Sequence, residues 1–103
     1  MAAGRLGTPA NLTATTNTTL YTNATTYAVC SVNILNRNTT AVTIRLGLSS
    51  SATPGLAEWL EFDTTIPAAG VLERTGLVVG ATQNLVAYAS ATGVTAMVYG
   101  IET

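Results

Sequence analysis

The chain is 103 residues long, the size of a single domain, and it carries a formal net charge of −1. It has one cysteine and neither histidine nor lysine, and 9% of its residues are charged against 48% that are hydrophobic. This composition excludes histidine-based acid–base catalysis and histidine or multi-thiolate metal sites. It also lacks the basic face that nucleic-acid binding requires.

Residues 1–17 predict an extended N-terminal arm, because two glycines and Pro9 oppose a helix. Leu6 and Leu12 are the large apolar side chains of this arm, and both are candidate partner contacts. Two interpretations stay open: a loose terminus, or an arm that becomes ordered on a neighbouring protein. The start of the chain lacks the apolar segment of a signal peptide, so we expect synthesis in a host cytoplasm without export.

Short runs of β-branched, aromatic and alternating apolar residues, separated by Asn, Gly and Pro, then predict strands. The clearest is 41–48. Its apolar side chains alternate with Thr43, Arg45 and Gly47, as a half-buried strand requires. The last two strands are predicted to form a hairpin around Ala91-Thr92-Gly93. The seven predicted strands are 18–22, 27–35, 41–48, 58–64, 71–79, 85–90 and 94–101.

The segment 58–64 also fits one helical turn at its start. As a strand, it would direct Leu60 and Phe62 inward and Trp59 outward, which makes Trp59 the third candidate partner contact. Its acidic residues are expected to be solvated rather than catalytic, with a calcium site of oxygen ligands as the alternative. These residues are Glu58, which falls on one face, and Glu61 and Asp63, which would share the other.

About seven short antiparallel strands, with connections at 49–57 and 64–70 longer than hairpin turns, predict an all-β Greek-key or jelly-roll-like sandwich over residues 18–103. An immunoglobulin-like sandwich is the alternative, although the paired cysteines of that fold are absent. Cys30 is expected to be a small buried side chain. The strand 94–101 has apolar residues on both faces, so one face needs cover from the arm or from another subunit.

Three segments of the sequence resemble small virion structural proteins of tailed bacteriophages. They are Gly-Arg-Leu-Gly-Thr-Pro-Ala-Asn-Leu at 4–12, Ile-Pro-Ala-Ala-Gly-Val-Leu-Glu-Arg-Thr-Gly-Leu at 66–77, and Val-Tyr-Gly-Ile-Glu at 98–102. The resemblance implies a β-sandwich that decorates phage heads or builds tail and fibre parts. It implies an assembly role and supplies no catalytic residues.

We therefore expect a capsid decoration (cement) protein that is not an enzyme and uses no cofactor or metal. The expected partners are the major capsid protein or other virion proteins and further copies of this chain, located on the capsid surface of the virion. Nucleic acid, membrane and small-molecule substrates are not expected as partners. The alternatives are a tail, neck, baseplate or fibre component, and a carbohydrate-binding adhesin module.

Overall fold

A computed structural model describes residues 2–103 as two four-stranded antiparallel β-sheets that enclose one hydrophobic core. A 3-10 turn, Leu56–Glu58, precedes the fifth strand, at the position where the sequence was ambiguous. In the part of the chain so described, no helix is long and apolar enough to cross a membrane. The strands are β1 (Ala3–Asn11), β2 (Thr18–Thr22), β3 (Tyr27–Asn36), β4 (Val42–Ser49), β5 (Trp59–Ile66), β6 (Val71–Gly80), β7 (Asn84–Ala89) and β8 (Val94–Glu102).

The strand order is that of a jelly roll. Sheet I has the order β1-β8-β3-β6 and sheet II the order β2-β7-β4-β5. Within residues 2–103, the one connection that stays inside a sheet joins β4 to β5, and each of the others crosses between the sheets. This crossing produces two interlocked Greek keys, which confirms the Greek-key or jelly-roll prediction over the immunoglobulin-like alternative.

The core is built from the inward-facing residues of both sheets, and alternation along the strands places them there. In β3, Ala28, Val32 and Ile34 are buried, and the free thiol of Cys30 lies among them as predicted. Burial raises the pKa of the Cys30 thiol, with a further contribution from the charge of Glu102. The thiol is therefore a protonated core side chain rather than a reactive group.

The structure has eight strands rather than seven, because Ala3–Asn11 pairs with β8 as an edge of sheet I. Sequence periodicity missed this strand because its pairing is interrupted between Leu6 and Ala10, around Gly7 and Pro9. At Gly7 the backbone has φ 65° and passes so close to β2 that a Cβ would lie 2.3 Å from the carbonyl oxygen of Leu20. A glycine is therefore required at the point where the edges of the two sheets meet.

The predicted hairpin of the last two strands is wrong. β7 belongs to sheet II and β8 to sheet I, although a short turn joins them. The turn is held by other strands: the Ser90 amide donates to the Thr43 carbonyl at 2.9 Å, and the Arg37 amide donates to the Gly93 carbonyl at 2.8 Å. The loop contains Gly93 at φ 84°, a conformation typical of hairpin turns. Here the same kind of short loop connects two strands that lie in different sheets.

Two fully buried asparagines fix loops at the sandwich ends. The Asn36 amide donates to the carbonyls of Thr40, Ile66 and Pro67 at 2.9–3.1 Å, and thereby joins the end of β3 to the end of β5, which no strand ladder connects. Asn23 donates to the Val79 carbonyl at 2.9 Å. Carbonyl groups buried without a donor are costly, so these side chains are structural rather than candidate ligands.

Candidate functional site

The outer face of sheet I carries an apolar row that crosses all four strands in register. Ala3 of β1 pairs with Ile101 of β8, Ile101 pairs with Val29 of β3, and Val29 pairs with Val78 of β6. Ile101, Val29 and Val78 are 53%, 43% and 57% exposed, and Tyr27 beside them is 43% exposed. Side chains in the same cross-strand row lie in lateral contact distance, so these residues form one continuous surface, called here the apolar row.

The remainder of that face is mixed in polarity. The next row contains Arg5, Tyr99 and Ser31. The Tyr99 hydroxyl donates to a Glu73 carboxylate oxygen at 2.8 Å, and this hydrogen bond raises the pKa of Tyr99. Sheet I therefore presents an apolar row beside a polar one.

One cross-strand row on the outer face of sheet II is covered by the protein itself. Val86, Gly47 and Trp59 share a cross-strand row there, and Val86 is fully buried. A Cβ at Gly47 would lie 2.9 Å from Pro54 Cγ and 3.1 Å from Trp59 Cε3, so both rings lie directly on the glycine. The β4–β5 loop thus closes over the face that β7 would otherwise expose.

A carboxylate holds that loop in place. The Gly55 amide and the Ser49 hydroxyl donate to the same Glu58 oxygen at 2.7 and 3.1 Å. These two donors hold the pKa of Glu58 below its ordinary value. Glu58 is therefore a local structural acceptor, which explains its position at the base of the loop.

Beside this loop lies a cluster of one arginine, three aromatic rings and one aspartate, called here the Arg45 cluster. The guanidinium carbon of Arg45 lies 4.1 Å from the ring centre of Phe62 and 4.6 Å from that of Tyr88. Its Nε donates to Asp63 at 2.6 Å, and this bond lowers the pKa of Asp63. Trp59 meets Phe62 edge to face, with ring centres 5.9 Å apart. The positive charge thus contacts two aromatic rings and one carboxylate of its own chain.

The three carboxylates of the β5 region do not form a common site. A bulge adds one residue to β5 between the partners of Ile44 and Leu46, where Asp63 has φ 52°. Asp63 then turns outward to Arg45, while Glu61 turns to the sheet edge and accepts from Arg74 and Thr64. The prediction that Glu61 and Asp63 share a face is wrong for this reason.

The same bulge overturns the predicted orientation of Phe62, which is 51% exposed rather than inward-facing. Among residues 2–103 there is no cluster of three or more potential metal-binding side chains, and no pocket.

The three residues expected to contact a partner differ in burial and position in the structure. Leu6 and Leu12 are 3% and 2% exposed and belong to this chain's own core, so their side chains are not available to a partner in this conformation. Trp59 does lie on an outer face, as expected, but it is partly covered and packs on Gly47.

The apolar row was found only in part from the sequence. The sequence indicated that β8 is apolar on both faces and that one face needs cover, whereas Val29 and Val78 were not singled out. Val29 follows Ala28 on β3, and Val78 precedes Val79 on β6. Alternation along each strand therefore indicated the face of each valine on its own strand. Their alignment into one row depends on the pairing of β8 with β3 and of β3 with β6.

Comparison of the chain with protein-family models, with curated proteins and with solved structures gives no match.

Proposed function

We propose that this chain is a structural protein of a tailed-phage particle, a capsid decoration (cement) protein that binds the outer surface of the major capsid shell. The observation that carries the proposal is the apolar row on the outer face of sheet I. Large apolar side chains exposed in one continuous surface mark protein contact sites more often than scattered ones do. Jelly rolls are a frequent architecture of viral capsid domains, which accords with this role.

The size of the row determines the kind of contact it supports. Fully burying a large apolar side chain contributes about 1.5–3 kcal/mol, so half-exposed Val29, Val78, Ile101 and Tyr27 together contribute about 3–6 kcal/mol. Association itself costs at least about 4 kcal/mol, so the row alone does not sustain a one-to-one complex. It suits a protein that bridges neighbouring subunits of a repeating shell, where additional surfaces contribute.

The scarcity of charge supports the same role. The chain has four arginines and five acidic residues. Arg45 and Arg74 are paired with Asp63 and Glu61 within the chain. Such a surface repels identical neighbours weakly, which permits dense packing of many copies on a shell.

The first experiment counts copies by quantitative mass spectrometry of purified particles. A decoration protein is present at a number comparable to that of the major capsid protein, whereas a handful of copies would exclude decoration of the whole shell. That low number, together with co-purification with isolated tails, would favour the alternative of a tail, neck, baseplate or fibre component.

The second experiment tests the surface with a matched pair of variants. Val29→Glu introduces a charge into the apolar row, and Thr65→Glu introduces the same charge on exposed β5 of sheet II. Purified protein is added to shells that lack it, and the bound fraction is measured. We expect Val29→Glu to abolish binding and Thr65→Glu to leave it unchanged. Equal binding of the two variants would contradict the assignment of the docking face.

The carbohydrate-binding alternative has one observation in its favour, the exposed aromatic edge formed by Trp59 and Phe62 on sheet II. One face of Phe62 is occupied by Arg45, which leaves less ring surface for a sugar. Binding on a glycan array that disappears in Trp59→Ala and persists in Val29→Glu would favour this alternative over the capsid role.

A further inference from the structure

The four edge strands of the sandwich differ in how well they are protected against pairing with another chain. β1 contains two glycines, Pro9 and an interrupted register, and β2 has five residues and its own interruption. β5 has two register shifts and left-handed Asp63. β6 is ten residues long, lacks proline, and has one irregularity, at Thr75–Gly76. It is therefore the edge most open to strand addition.

The two charges on β6 do not protect its edge. The Glu73 carboxylate accepts from Tyr99, two strands away across the outer face of sheet I. Arg74 is directed to the opposite side, where it pairs with Glu61 of sheet II. Each charge is held within its own chain. The far side of β6 has no strand partner in the described chain.

We propose that β6 pairs with β6 of a second copy of this chain, antiparallel and about a two-fold axis, so that the two sheets I join into one eight-stranded sheet. The bulge at Thr75–Gly76 specifies the register. Before it, Val71 faces outward and Leu72 inward; after it, Val78 faces outward and Leu77 inward. In an antiparallel pair, outward side chains of one copy must lie beside outward side chains of the other. Because the bulge changes the outward positions from odd to even numbers, this requires registers that pair odd-numbered with even-numbered residues.

Among these registers, one matches apolar residues with apolar residues. It places Val71 opposite Val78 of the second copy and Leu72 opposite Leu77, and the two-fold axis generates each pair twice. Glu73 then lies opposite Gly76, so no like charges face each other. The space at Gly76 is open, since a Cβ added there would meet no atom within 4 Å. The register shifted by two residues would place Glu73 opposite Val78 and Arg74 opposite Leu77, which is less favourable.

This pairing gives Val71, which is 52% exposed, a role that the single chain does not provide. Val71 pairs with Leu35 on β3 of its own sheet. In the dimer the apolar row of one copy therefore continues from Val29 and Val78 into Val71 and Leu35 of the other. The outer face of the joined sheet stays uncovered and carries two such rows.

The test uses charge pairs at the two ends of the proposed register, measured by sedimentation over micromolar to millimolar concentrations. The wild-type chain is expected to form a concentration-dependent dimer. V71E/V78E places glutamate opposite glutamate twice, and we expect its dissociation constant to rise at least about tenfold. V71E/V78K places glutamate opposite lysine, and we expect dimerisation within about threefold of wild type. The two variants differ only in the sign of one charge, and circular dichroism verifies that both fold.

Ile101→Glu is the control that separates edge pairing from face-to-face packing, because Ile101 belongs to the apolar row but lies two strands from the β6 edge. We expect this variant to dimerise as the wild type does. A wild-type chain that is monomeric throughout, or trimeric, would overturn the proposal, as would V71E/V78E dimerising like V71E/V78K or Ile101→Glu becoming monomeric. All measurements are made on the free chain, so their failure would leave the capsid proposal standing.

Discussion

The two sheets each have four antiparallel strands, but the apolar residues on their outer faces differ in burial. On sheet II, Val86 faces outward and is fully buried, and Pro54 of the β4–β5 loop and Trp59 of β5 lie on its neighbour Gly47. On sheet I, Val29 and Val78 face outward in the same way and are about half exposed. The long loop between β4 and β5 is the element that makes the difference.

The difference separates residues that stabilise the fold from residues that are free to contact another protein. A covered outer face increases the free energy of unfolding, whereas an exposed apolar row contributes little to it and favours association. Substitutions on sheet II should therefore change stability, and substitutions on sheet I should change binding.

Trp59→Ala should have the largest effect on stability. The ring lies on Gly47 and against the edge of Phe62, so its removal opens the outer face of sheet II. We expect the free energy of unfolding to fall by about 2–3 kcal/mol, somewhat less than for a fully buried tryptophan. Urea denaturation followed by circular dichroism measures it. A loss below about 0.5 kcal/mol would show that the ring covers nothing of importance.

Gly47→Ala should be the next largest. A Cβ at this position would lie 2.9 Å from Pro54 Cγ and 3.1 Å from Trp59 Cε3, so the loop would have to move away from the sheet. We expect a loss of about 1–3 kcal/mol by the same measurement. The matched control is Gly55→Ala in the same loop, where the nearest atom to a Cβ is 3.5 Å away and φ is −75°. Equal losses in the two variants would contradict a close contact at Gly47.

Much of this fold could be predicted from the sequence, because alternation determines where a half-buried strand lies. All seven predicted strands are present, and β2, predicted at 18–22, has the bounds Thr18–Thr22. β1 was missed because Pro9 and two glycines read as a loop, and only its pairing with β8 makes it a strand. Tertiary pairing overrides local preference at an edge.

The candidate surfaces were harder to predict, because they depend on register rather than on composition. One extra residue at the β5 bulge separates Glu61 from Asp63 and turns Phe62 outward. The apolar row likewise forms because Ile101, Val29 and Val78 are aligned across strands that are far apart in sequence. Periodicity along one strand gives the face of each residue but not its neighbours on the sheet.

Acid should act mainly through sheet II. The Arg45 hydrogen bond lowers the pKa of Asp63, the Gly55 amide lowers that of Glu58, and the Thr64 hydroxyl lowers that of Glu61, which also lies on β5. A carboxylate with a lowered pKa in the folded state contributes stability above its unfolded pKa, and this contribution disappears as the pH falls through the folded value. We expect the melting temperature to decline below about pH 4.5, the ordinary value of a glutamate.

Asp63→Asn is the variant that assigns this acid dependence. It removes one of the three carboxylates whose pKa is lowered, so its melting temperature at neutral pH should be slightly lower and its decline in acid shallower. The effect is small because Arg45 and Asp63 are both accessible to water. Parallel curves for the variant and the wild type would show that the Arg45 pair contributes nothing to the acid response.

Ile101→Thr should have the smallest effect on folding, and it tests the other face. Both side chains are β-branched and favour a strand, and Ile101 is 53% exposed at the end of β8. We expect the free energy of unfolding to change by less than about 0.5 kcal/mol. Binding to shells should nevertheless weaken, because the substitution removes apolar surface from the centre of the row. A large loss of stability would mean that sheet I, like sheet II, needs its outer face to hold the fold together, and the division between the two faces would fail.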